Sequence, residues 1–155
     1  MTTTYNSNQY ANQISVQRSG SPGELKDFFF EGVTATADTG TINFVKLPPG
    51  RLRILPGLSQ FLCSNMAATA NISIGTAAYT ATNGAAVAAS VDALKAAGLV
   101  NACVLANSYT IMANVANTGL LIDSLDGVTI TGTVTTANTA VNGTYSGHIA
   151  FTYLG

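Results

Sequence analysis

From Val128 to Thr136 the chain reads VTITGTVTT, with Val128, Ile130 and Val134 alternating against Thr129, Thr131, Thr133 and Thr135. Side chains on a strand point to opposite faces with period two. This stretch is therefore a half-buried strand with a threonine outer face, which β-branched residues favour. The alternation returns at Tyr145, Ile149, Phe151 and Tyr153, with His148 on the opposite face. It returns again in the stretch from Leu47 to Gly75, LPPGRLRILPGLSQFLCSNMAATANISIG. There Leu52, Ile54, Leu58, Phe61 and Leu62 supply the apolar side of two short strands, while Arg51 and Arg53 point the other way. Proline fixes φ and glycine permits φ > 0, so both Pro-Gly pairs mark corners, and Ile72 to Gly75 opens a further strand.

The pattern predicts a first strand pair at Asp27–Ala37 and Thr41–Leu47, joined at Asp38-Thr39-Gly40. Phe28, Phe30 and Val33 would face one side, answered by Ile42, Phe44 or Val45. Asn83-Gly84 punctuates a small-residue surface segment, Thr76–Ala89. Ser90, Asp92, Lys95 and Gly98 are the cap, dipole and stop residues of a two-turn helix at Val91–Ala97. Strands at Tyr109–Val115 and Leu120–Ile122 lead to a turn at Ser124–Gly127, and Gly143–Leu154 is expected to pair antiparallel with Val128–Thr136. Short strands at regular spacing with one short helix predict an all-β protein, an antiparallel β-sandwich of jelly-roll type. Residues 1–21 are polar, with Tyr5 and Tyr10 as the only aromatic side chains, and cannot form a core. They are either a disordered tail or an extended arm that orders across a neighbouring subunit, with the tyrosines as anchors. Residues 22–155 form the sandwich domain.

Composition sharpens this picture. The chain has 155 residues, enough for one domain that buries roughly 70% of its unfolded surface. It is 47% hydrophobic but only 8% charged, against about 25% in a typical soluble domain. Such a surface has little electrostatic defence against self-association, which suits a protein covered by copies of itself or by a partner. A compact secreted β-protein with a Thr/Ser surface is the alternative. A net charge of −1 without a basic stripe argues against nucleic acid as a partner. The N-terminus lacks the features of a secretory signal, and Gly84–Ala106 falls short of the ~20 apolar residues of a membrane span. The reading is a protein made in the cytoplasm, with no membrane partner. Cys63 and Cys103 sit in apolar runs without metal-ligand spacing, and buried reduced thiols are expected before a disulfide.

No catalytic pattern emerges. His148 is the only histidine, and no nucleophile elbow accompanies it. Asp123 and Asp126 flank a turn without the calcium-loop pattern. Glu24, Asp27 and Glu31 are expected as solvated charges on the rim of the first strand. No phosphate loop occurs, and no cofactor or metal is expected. Arg51 and Arg53 present two guanidinium groups on one face, able to bind a partner's carboxylates or to guard an edge strand against aggregation.

The segment KLPPGRLRILPGLSQFLCS…ANISIGTAAYT, roughly Thr41 to Thr82, together with the strand start Asp126-Gly127-Val128, resembles the small β-sandwich decoration or cement proteins of tailed-bacteriophage capsids. The resemblance implies a non-enzymatic virion protein, commonly a homotrimer, on the capsid surface and assembled in the host cytoplasm. It would bridge neighbouring major capsid subunits. The arm would then be the bridging element, with Tyr5, Tyr10, Arg51 and Arg53 as candidate contacts. A tail or fibre module binding a host glycan, a tail-tube-like subunit and, last, a hydrolase are the rival readings.

Overall fold

The structure is a computed structural model and describes residues 3–11, 22–34, 40–64, 71–96, 110–111, 119–136 and 143–155. In chain order its elements are β1 (Thr3–Asn6), helix α1 (Asn8–Ala11), β2 (Leu25–Thr34), β3 (Gly40–Leu47), β4 (Gly50–Ile54), a 3-10 turn (Pro56–Leu58), β5 (Gln60–Ser64), β6 (Asn71–Thr76), β7 (Tyr79–Thr80), β8 (Ala86–Val87), β9 (Ser90–Lys95), β10 (Thr110–Ile111), β11 (Leu120–Ser124), β12 (Val128–Thr136) and β13 (Gly143–Tyr153).

One sheet runs β1-β3-β12-β6-β9. In the other, β13 pairs with β2 along one edge and with β4 and β5, end to end, along its other edge. Beyond these lie β11, on β4, and β10, on β5. Taking β4/β5 and β10/β11 each as one interrupted strand, eight strands follow in the order β2, β3, β4/β5, β6, β9, β10/β11, β12, β13. One sheet then holds the first, eighth, third and sixth of these, and the other the second, seventh, fourth and fifth. That is the strand order of a jelly roll, with β1 added in parallel beside β3.

Residues 47–64 form the interrupted strand with its corners where the punctuation predicts them, although Leu58, expected on the apolar side, is exposed in the corner. Gly50 turns at φ +107, and Pro56-Gly57 form the 3-10 corner. Along β4 the burial alternates, with Leu52 and Ile54 inside and Arg51 and Arg53 out. The corner is tied back to β13 because the buried Ser59 hydroxyl donates to Leu55 O at 2.9 Å and accepts from Ala150 N at 3.0 Å. Between the sheets, Phe44 of β3 stacks on Phe30 of β2 at 4.6 Å and meets Phe61 and Tyr145 at 5.5 Å each. Each such ring contributes about 1.5–3 kcal/mol of burial. Glycines at 132 and 147 leave room for this cluster, since a Cβ there would strike the rings of Phe44 and Phe30.

Four expectations are corrected. β2 and β3 are not a hairpin pair: they lie in opposite sheets and meet face to face through Phe30 and Phe44. Val33, expected beside Phe28 and Phe30, faces outward instead. β12 and β13 likewise do not pair with each other; β12 lies between β3 and β6. Ser90–Lys95 is a strand and not a helix, because Leu94 is buried in the core and Lys95 Nζ donates to Ile72 O at 2.7 Å. The short helix is α1 instead. Of Tyr109–Val115 only Thr110–Ile111 is described, as a strand; Cys103, the loop at 35–39 and position 97 lie outside the described residues.

Candidate interaction surface

On β2 the even positions Phe28, Phe30 and Gly32 turn inward, so the odd positions form the outer face. That face carries Leu25, Asp27, Phe29, Glu31 and Val33. Leu25, Phe29 and Val33 are each more than half exposed, and Phe29 reaches 68%. Its ring lies 5.5 Å from that of His148 on β13, whose Nδ1 is 2.8 Å from Asp27 Oδ1. His148 is thus half-buried and paired across the strands. Asp27 is likewise not a free rim charge, and Glu24 pairs with Lys26 at 3.1 Å. Glu31 donates its backbone N–H to Gln9 Oε1 at 2.9 Å.

Two shallow clefts open here. One, of about 390 Å³, is bordered by Asn8, Glu31, Val33, Leu62 and Thr144. The other, of about 380 Å³, is bordered by Gln9, Phe29, Glu31, Gln60 and His148. Ser146 borders both clefts, beside Glu31 in the first and beside Glu31 and His148 in the second. Among the described residues no group of three His, Cys, Asp or Glu side chains could hold a metal ion, and no helix is long and apolar enough to cross a membrane.

Across the same sheet, Arg51 and Arg53 stand exposed on β4, opposite Asp123 and Leu121 of β11 in register. Asp123 is half-buried, and its Oδ1 finds no hydrogen-bond partner among the described residues. Burial, and then the charge of Asp123, push the Tyr79 phenol above its ordinary range. Leu121 and Leu125 are more than half exposed.

The two tyrosines expected as arm anchors are placed within the chain itself. Tyr5 packs half-buried against the core from β1, and Tyr10, in α1, is half-buried. Ser7 holds this segment down. It is fully buried, its hydroxyl donates to Phe44 O, its N–H donates to Asn43 O at 2.8 Å, and Tyr10 N donates to its Oγ at 3.0 Å. Sequence reasoning found Arg51 and Arg53 but missed the Leu25–Phe29–Val33 stripe, although its spacing of four is visible in LKDFFFEGV once the inward residues are known.

No protein-family model matches the sequence, and no curated protein matches it. Two solved structures are similar to it. A chain of the cyanophage Pam1 capsid asymmetric unit superposes with a TM-score of 0.60 at 16% identity, over 89% of this chain and 91% of that one. A structure of infectious bursal disease virus, Gx strain, gives a TM-score of 0.44 at 13% identity, over 88% of this chain and 35% of the other.

Proposed function

We propose that this protein is a non-enzymatic virion component that decorates and cements a tailed-phage capsid, binding copies of itself and bridging neighbouring major capsid subunits. The observation that carries the reading is the near-complete superposition on a chain of a phage capsid asymmetric unit. With 89% and 91% of the two chains aligned, the neighbour is about as long as this protein, so the whole single jelly roll is what they share. The surface supports it. Charge is scarce, and apolar and arginine side chains stand exposed on one sheet. Repeated over a shell, even modest interfaces gain strength by avidity. Arg51 and Arg53 are the proposed partner-facing charges. Residues 1–21 are the proposed bridging arm, with Tyr5 fixing its base and Tyr10 its first turn.

The test is addition of purified protein to heads assembled from the major capsid subunit alone. Saturable binding at a fixed copy number per head, with a higher melting temperature of the shell, is the expected result. Failure to bind these heads at micromolar concentration overturns the proposal. A glycan-binding virion module is the second reading, favoured by the exposed Phe29 ring beside Gln9, Gln60 and His148. An aromatic face among hydrogen-bonding side chains is what a sugar requires. Saturable glycan binding lost in Phe29→Ala would support it.

A further inference from the structure

The two clefts on the outer face are not independent of each other. Rows of residues in register cross β2, β13 and β5 there. The first row is Phe29–His148–Gln60, the second Glu31–Ser146–Leu62, and the third begins Val33–Thr144. One cleft lies between the first and second rows and the other between the second and third, so Glu31 and Ser146 border both. Residues two apart on a strand are separated by about 6.6–6.8 Å. The clefts are therefore one such step apart, in line along β2 and β13. Helix α1 borders both, through Gln9 at one and Asn8 at the other.

We infer that the clefts are adjacent subsites of one groove for a neutral oligosaccharide, with one ring on Phe29 and an N-acetylated ring against Val33 and Leu62. The first subsite sets an exposed aromatic face among hydrogen-bonding groups of both kinds. Gln9 Oε1 accepts the Glu31 N–H at 2.9 Å, which fixes the amide and leaves its NH2 group to donate. His148 Nδ1 lies 2.8 Å from Asp27 Oδ1. With the carboxylate accepting from Nδ1–H, Nε2 of the neutral ring is left as an acceptor. A sugar brings an apolar C–H face for the phenyl ring and hydroxyls for these groups.

The second subsite has a different character. Val33 is more than half exposed and Leu62 half-buried, and they border this cleft together with the hydroxyls of Thr144 and Ser146. An N-acetyl group matches that mixture, its methyl meeting the apolar pair and its amide the hydroxyls. Charge selects against acidic sugars. Among the described residues no lysine or arginine borders either cleft, while Glu31 stands exposed where they join. A sialylated or phosphorylated saccharide would meet like charge there and no cation. Nor is the β2 edge open to an added strand at this point, because Gln9 already takes the Glu31 N–H. This inference rests on the glycan-binding reading, to which it adds the number, substituent and charge of the rings.

The experiment is calorimetric titration of the whole protein with N-acetylglucosamine, its β-linked dimer, cellobiose and a sialylated disaccharide. The N-acetylated dimer should bind saturably, about tenfold tighter than the single ring or cellobiose, and the sialylated sugar should not bind. Phe29→Leu keeps bulk but removes the ring, and should weaken both N-acetylated sugars about tenfold. Val33→Ser should bring the dimer down to the affinity of the single ring. Both positions are exposed, so both variants should keep the wild-type circular dichroism spectrum. Saturation-transfer NMR on the wild type needs no variant and should mark the acetyl methyl as a contact. Equal affinity for one ring and two, equal affinity for cellobiose, or binding of the sialylated sugar overturns the inference and leaves a glycan-binding module standing. Binding of none of the four also overturns it, and the glycan reading falls with it if an array of cell-surface glycans is blank as well.

Discussion

Gly75 sits where the pairing of β6 with β9 loses register, between Ile74 and Thr76. A Cβ there would collide with the Ser90 carbonyl oxygen, and backbone cannot yield as a side-chain tip can. Gly75→Ala should therefore destabilise the protein by about 2–3 kcal/mol, read as a lower urea midpoint at unchanged m-value. Ser59→Ala acts through hydrogen bonding. It strips the Ala150 N–H of its acceptor inside the sandwich, for a loss of about 1–3 kcal/mol. Tyr145 gives a pH signature. Burial pushes its phenol up to about 12, while the unfolded phenol titrates near 10. Across roughly pH 10 to 12 the unfolded chain has given up a proton that the native chain keeps, so stability falls through that window and is untouched below it. The full loss is on the order of 2–3 kcal/mol. Tyr145→Phe should abolish this share of the alkaline loss. Because the hydroxyl finds no hydrogen-bond partner among the described residues, the variant should cost little at pH 7; urea midpoints at pH 8 and 11 test both statements.

At the level of elements, the strands were legible and their partners were not. Alternation marks β4, β12 and β13 directly, because each buries one face. It cannot say whether two such strands lie side by side or face each other across the core. β2 and β3 do the latter, and the Phe30–Phe44 stack between them is a contact of faces and not of edges. The helix expected at Val91–Ala97 failed for a related reason. Its end signals are genuine, but two turns are marginal alone, and burial of Leu94 with the Lys95 bond to Ile72 O outweighs them. Of the candidate surface, Arg51 and Arg53 could be read from their alternation with Leu52 and Ile54. The β2 stripe could not, since three consecutive phenylalanines conceal which of them the core takes. Segment 3–11 shows the same limit, because its polar composition hides how firmly Ser7 and Tyr5 bind it to the body. Deleting residues 1–11 should therefore lower the melting temperature and uncover the edge of β3, so that the truncated protein aggregates faster on heating. Unchanged melting and turbidity would mean that the β1–β3 ladder contributes nothing.

The molecule as a whole combines a demanding topology with a nearly uncharged surface. β13 ties the jelly roll together by pairing with β2, more than a hundred residues away, and with β4 and β5. Such pairings delay the return on loop closure, so folding should be slow for a domain of this length. While it proceeds, only 8% of residues carry charge to keep chains apart. A sequence of this kind persists most readily if its native surface is itself covered, and mass action then links stability to concentration. Anything that binds the native state and not the unfolded one raises the melting temperature as its concentration rises, and under the proposed function the binder is the protein itself. Wild type should therefore melt several degrees higher when concentrated a hundredfold in the same buffer. A melting temperature that does not move with concentration would mean that the exposed apolar residues face another molecule instead.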